Sequence, residues 1–180
     1  MGALEDDVPV FEVVGFVDDG KLVMPGGVTD IVLGNLEVLA EWSDWVPFAE
    51  ALAVAPKVPG VYLARIGVTH EIVYVGMAGE RRGSGLRGRL SVYTSGKALA
   101  SGLGEAVFDR ALADKDWLRA RLSDVECGEP ARAKEWGRLA FQRADLQVRW
   151  ATCPDKAAAV ALERAALDVL SNQSLWNRLR

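Results

Sequence analysis

The residues of this chain that could do chemistry are few, and they come in a definite order. Its only three tyrosines stand in Gly60-Val61-Tyr62, in Tyr74-Val75-Gly76 and at Tyr93, four residues after Arg89. Glu163 follows in the middle of an apolar helical stripe, and Asn177 comes late in the chain. These are tools for a phosphate ester. The planar fork of an arginine matches phosphate oxygens, a carboxylate can hold Mg²⁺, which takes one or two carboxylates and keeps several waters, and hydroxyls can position water. The single histidine narrows the field further. A Ser-His-Asp triad, a multi-histidine metal site or a histidine-metal nuclease would each need histidine elsewhere. His70 instead falls in Gly67-Val68-Thr69-His70-Glu71, a loop-like stretch between two strand-like runs.

Each candidate has a plainer reading beside it. Glu163 shares its helical face with Ala159, Leu162, Ala166, Leu167 and Leu170, while Arg164, Asp168 and Ser171 fall opposite. A carboxylate turned inward costs several kcal/mol unless it meets a cation, a metal or donors, so a buried ion pair competes with a Mg²⁺ ligand. Leu86, Arg89, Leu90 and Tyr93 occupy one face of a helix; Arg89 either lays its stem along the core edge or is poised for phosphate. Tyr62 and Tyr74 could simply pack, since aromatics suit strands. Arg81, Arg82, Arg87 and Lys97 fall in a stretch without acids, and they read as phosphate contacts or as a solvated loop.

The elements that must position these groups follow from periodicity. Residues 10–17 read as a strand, Asp18-Asp19-Gly20 as a turn and Lys21 to Met24 as its return, with Pro25-Gly26-Gly27 breaking the pattern. Helical segments are expected between Asp30 and Ala53, and Ala55-Pro56-Lys57-Val58-Pro59 as a connector. Gly60 to Ile66 and Ile72 to Met77 predict an antiparallel hairpin; a loop centred on Val68 would set Tyr62 opposite Tyr74 on one face. A Gly- and Arg-rich loop from Gly79 to Gly85 leads into a helix from Leu86 to Ser95, stopped by Gly96. Further helices are expected over 103–122 and 130–143, a third strand over 146–151, and a long helix from Pro154-Asp155 to about Ser171. The six tryptophans, Trp42, Trp45, Trp117, Trp136, Trp150 and Trp176, lie mostly within apolar patterns and are assigned to packing.

At 180 residues, half of them apolar, the chain suits one domain with an extension or two unequal modules. Nothing approaches the ~18 continuous apolar residues of a membrane span. The opening Gly2-Ala3-Leu4-Glu5-Asp6-Asp7 is acidic where a secretion signal would be basic and then apolar. A cytoplasmic protein without a membrane partner is expected. Cys127 and Cys153 lack CxxC spacing, so reduced thiols are expected and zinc is not. The net charge of −4 is segregated: residues 1–50 carry eleven acids against Lys21, a net of −10, and residues 51–180 carry twenty bases against fourteen acids, a net of +6. A phosphate backbone would meet the basic section.

Taken together, Gly60-Val61-Tyr62, Tyr74-Val75-Gly76, Arg89-x-x-x-Tyr93, the inward Glu163 after a third strand and the late Asn177 resemble the active-site signature of the GIY-YIG nucleases. The two tripeptides differ from the family's name sequence only by Val for Ile. The resemblance covers about Gly60 to Arg180. It implies an α/β fold (α+β), with a small central antiparallel three-stranded sheet flanked by helices. Residues 1–55 would be an acidic extension or small subdomain, and 56–180 the nuclease-like domain, with a helical insertion at about 97–145. It implies cleavage of phosphodiester bonds in DNA, RNA not being excluded, with one Mg²⁺ or Mn²⁺ ion held by Glu163. Tyr62 would position or deprotonate the attacking water, Tyr74 orient the water or phosphate, and Arg89 stabilise transition-state charge. Tyr93 would stand where the family has His or Tyr, Asn177 would hold the site by hydrogen bonds, and Gly60 and Gly76 would shape it. Three features depart from the pattern. Glu80 to Gly85 look inserted, Met77 stands where relatives often have lysine, and Asn177 lies two residues further from Glu163 than expected, which leaves Asn172 as a substitute. An inactive nucleic-acid-binding module on the same fold, or an enzyme whose acidic N-terminal section covers it or docks a protein partner, are the alternatives.

Overall fold

The structure is a computed structural model that describes residues 16–18, 21–23, 34–100 and 102–178. At its centre is an antiparallel sheet of four strands in the order β3-β6-β4-β5, where β3 is Val46–Pro47, β4 Gly60–Ile66, β5 Ile72–Ala78 and β6 Leu146–Thr152. Three of these are the expected strands. The fourth, β3, is added on the β6 side, where Val46 pairs with Val148 and Pro47 with Gln147. A proline is tolerated there because an edge strand can leave its nitrogen unpaired. β4 is interior and reads almost wholly apolar because both its faces are covered, Gly60 to Ala64 being buried.

The two faces carry two cores. Tyr62, Ala64, Tyr74 and Trp150 face a cluster built with Leu86, Leu90 and Tyr93 of α2 (Gly85–Thr94). Leu103 and Val107 of α3 (Gly102–Leu112), Trp117 of α4 (Lys115–Glu126) and Phe141 of α5 (Ala133–Arg143) extend it. Val61, Leu63 and Val75 face the other cluster, with Ala166 and Leu170 from α6 (Lys156–Val169) and its end. Leu63 is 0 % exposed at the middle of the sheet. Leu63→Ala is expected to cost about 3 kcal/mol in urea unfolding; a loss below about 1 kcal/mol would mean that α6 does not close a core there.

Several expectations change in detail. The hairpin register is Tyr62 opposite Gly76 and Ala64 opposite Tyr74, with a shift between Ala64 and Arg65. The loop therefore centres later than Val68, with exposed His70 in the left-handed region at φ 60°. A displacement of two residues keeps both tyrosines on one face, since side chains alternate with period two. The helix expected over 103–122 is two helices, because the Asp114 side chain accepts from the amides of Asp116 (2.8 Å) and Trp117 (3.0 Å) and starts α4 afresh. Between Asp30 and Ala53 the described residues are mostly not helical. After a helical turn at 34–37 the chain runs as an extended strap to β3, and α1 (Ala51–Val54) is short.

The strap is held by tryptophan and charge. Ser43 N donates to Trp150 O (2.8 Å) and Trp150 N to Ser43 Oγ (3.1 Å). Arg149 of β6, only 5 % exposed, pairs with Glu37 and lies beneath the Trp42 and Trp45 rings, 5.2 and 4.9 Å from their centroids. Arg65 stacks on Trp45 at 4.3 Å. These tryptophans pack, but on guanidinium groups. Leu36, Phe48, Ala51 and Ala55 are buried in the two cores, so residues 34–55 contribute to the same packing. Further upstream, β1 (Phe16–Asp18) pairs antiparallel with β2 (Lys21–Val23), as the turn signal suggests; residues 10–15 of the expected strand lie outside the described residues. Cys127 is exposed, Cys153 is buried and both are free. No helix among the described residues is long and apolar enough to cross a membrane.

Candidate active site

β4 and β5 place Tyr62 and Tyr74 diagonally on one face, their rings 6.2 Å apart and 22° from parallel. α2 presses Leu86 and Leu90 into the core, and this turns Tyr93 and Arg89 onto the same rings. The Tyr62 and Tyr93 hydroxyls share a hydrogen bond of 2.7 Å, and Arg89 Cζ lies 5.1 Å from the Tyr93 ring centroid. Arg89 Nε is buried with no hydrogen-bond partner among the described residues, the kind of orphaned donor that a ligand satisfies.

Both glycines are required sterically, for different reasons. A Cβ on Gly76 would overlap the Tyr62 hydroxyl and stand 2.8 Å from Tyr74 Cε1, so this glycine makes the space in which the two phenols meet. A Cβ on Gly60 would strike the Ala151 carbonyl and come within 2.7 Å of Leu86 Cδ1; Gly60 seats α2 on the sheet. Gly76→Ala is expected to force Tyr62 off its position and to cost about 2 kcal/mol in thermal unfolding. A variant as stable as the parent would show that the ring moves freely.

The electrostatics favour an anion. Burial raises the Tyr62 pKa well above the ordinary phenol value, with Tyr93 and Tyr74 adding to the shift and Arg89 opposing it. Tyr74 is pushed up to about 12 by burial and by Tyr93; Arg89 pulls it down and the charge of Glu163 raises it. Burial works against the charge on Arg89, yet the oxygens of Tyr62, Tyr93 and Tyr74 outweigh this and hold its pKa above the ordinary value. At neutral pH, Tyr62 and Tyr74 are therefore neutral donors beside a fixed positive charge.

Glu163 comes from the other side of the sheet. Asp155 caps α6 by accepting from Ala158 N at 2.8 Å. The helix buries Ala159 and Ala166 while Arg164 and Asp168 stay exposed, as the stripe requires. Glu163 is half-buried, and its charge reaches Tyr74 on β5, the edge strand. Of the two candidate asparagines, Asn177 meets the strand. Its Nδ2 donates to Val75 O (2.8 Å) and its Oδ1 accepts from Val75 N (3.0 Å), closing the open edge of β5, while Trp176 N donates to Val73 O (2.6 Å). Asn172 is exposed.

The basic residues are less concentrated. Arg82 and Lys97 are exposed, but Arg87 Nε donates to Ala55 O at 2.7 Å and ties α2 to the connector. Arg81 lies in a 3₁₀ turn, Arg81–Gly83, that precedes α2. Two residues escape sequence reasoning. Gly102, at φ +54°, is placed so that a Cβ would stand 2.9 Å from the Tyr74 hydroxyl, 3.0 Å from Arg89 Nη2 and 3.1 Å from the Tyr93 hydroxyl; within an insertion, only its place before a helix marks it. Arg149 is signalled solely by being a charge within an apolar strand. Compared with family models, with curated proteins and with solved structures, the chain matches none.

Proposed function

We propose that this protein is a divalent-metal-dependent endonuclease of the GIY-YIG type that hydrolyses phosphodiester bonds in DNA. The reading rests on one observation: a charged arginine with an unpartnered buried Nε converges with the Tyr74 and Tyr93 hydroxyls beneath Gly102, Tyr62 is hydrogen-bonded to Tyr93, and the charge of Glu163 reaches Tyr74. Arg89 would bind the scissile phosphate and compensate the charge that grows on its non-bridging oxygens. Tyr62 and Tyr74, kept neutral by burial, would position water and phosphate by hydrogen bonding, Tyr93 holding the Tyr62 hydroxyl in place. Asn177 would keep β5 in register beneath Tyr74.

Glu163, whose charge reaches Tyr74, offers oxygen donors only, which suits a hard cation such as Mg²⁺ or Mn²⁺. Glu163 would hold it, and the ion would polarise the phosphate and lower the pKa of a bound water. The net charge of +6 over residues 51–180 supports a polyanionic partner; the acidic section would repel one and could dock a protein instead. A second reading, an inactive nucleic-acid-binding module, is favoured by the enclosure of the tyrosines, 0 % exposed at Tyr62 and 1 % at Tyr93. Supercoiled plasmid incubated with the protein separates the two: nicking with Mg²⁺ or Mn²⁺ that EDTA abolishes is expected, and retention without nicking would favour the second.

A further inference from the structure

We propose that the N-terminal end of α3 is a lid over the tyrosine–arginine cluster, latched by Arg178, and that a nucleic-acid strand reaches the cluster only when this end lifts. The identity of what enters rests on the nuclease reading; the lid does not. Gly102 is the contact point. Its left-handed backbone and missing Cβ bring the helix end down on the Tyr74 and Tyr93 hydroxyls and on Arg89 Nη2, where any side chain would intrude. Underneath, Tyr62, Tyr93 and Tyr74 are 0, 1 and 7 % exposed, which leaves no room for a phosphate ester.

The lid is held by a buried face, Leu103, Ala106 and Val107, and by a latch at the surface. Arg178 Nη2 lies 3.0 Å from Glu105 Oε1 and 3.3 Å from Asp109 Oδ2, both on α3, and the Arg178 side chain is 71 % exposed. Arg110 stacks on Trp176 at 4.1 Å. Trp176 and Arg178 flank Asn177, which is fixed to Val75, so α3 is fastened to the edge of the sheet that carries Tyr74. Exposed ion pairs are weak and screened by salt. Against them stands Leu103, fully buried one residue after Gly102; drawing it out makes the open form a minor state.

All three tyrosines of the chain lie in this cluster, so tyrosine nitration by tetranitromethane, which attacks the phenolate and is read as nitrotyrosine absorbance, reports on opening of the cluster to solvent. The parent is expected to nitrate slowly, Arg178→Ala a few-fold faster and Gly102→Ala about tenfold faster, with single-turnover plasmid cleavage rising in Arg178→Ala. If Gly102→Ala fails to fold by circular dichroism, Arg178→Ala decides. Folded variants that nitrate at the parent's rate, or a parent that nitrates as fast as free tyrosine, would overturn the lid. Faster nitration with no cleavage in any variant would sustain the lid and defeat the nuclease reading.

Discussion

Tyr62→Phe is expected to lower plasmid cleavage by about 10²–10⁴-fold, the range lost when a positioned proton-transfer or hydrogen-bonding group is removed, while DNA affinity stays within a few-fold. Phenylalanine keeps the ring that packs against Tyr74 and lies over Gly76, so the change removes one oxygen and the 2.7 Å hydrogen bond to Tyr93. The stability cost should be about 1–2 kcal/mol, because the Tyr93 hydroxyl is left without that partner in a buried place. The effect on rate is far larger than the effect on folding, and that ratio carries the prediction. Burial holds the phenol neutral, so the parent's pH–rate profile should carry no limb from Tyr62 ionisation near neutrality. Cleavage by Tyr62→Phe at the parent's rate would make the hydroxyl pair a packing feature and remove Tyr62 from the chemistry.

How much of this was legible in the sequence depends on the element. β-Rich runs bounded by loop signals located β4, β5 and β6, and the helical stripe put Glu163 on the apolar face of α6, away from exposed Arg164 and Asp168. The register of the hairpin was not legible. It depends on a left-handed His70 and on an irregularity after Ala64, and loop composition specifies neither. β3 was hidden because Val46-Pro47 becomes a strand only by pairing with β6, and the Trp42–Trp45 strap reads as helix-compatible until Arg149 is seen beneath it. At the site, residue types were legible and closeness was not. The sequence favours Asn177 and leaves Asn172 as a substitute, and a pair of hydrogen bonds from Asn177 to Val75 distinguishes them. Gly102 could not be found at all, since nothing in its neighbourhood predicts which cluster the start of α3 will touch. Arg87 adds a role that the sequence does not signal, for it lies on α2 and spends its Nε on the Ala55 carbonyl.

The most direct test of the proposed site is Glu163→Gln set against Asp168→Asn, two charge-removing, shape-keeping changes on one helix. Glu163 is half-buried with its charge reaching Tyr74, and Asp168 is exposed on the opposite face. A carboxylate that holds the reaction's metal ion cannot be replaced by an amide without losing most of the transition-state stabilisation, whereas a surface carboxylate can. Single-turnover cleavage of plasmid in Mg²⁺, with a melting curve for each protein, is the measurement. Glu163→Gln is expected to cut about 10³-fold or more slowly than the parent while still folding and binding DNA, and Asp168→Asn is expected to cut like the parent. Equal cleavage by both folded variants would contradict the proposed site, and would make Glu163 a structural residue of a helix that only braces the sheet.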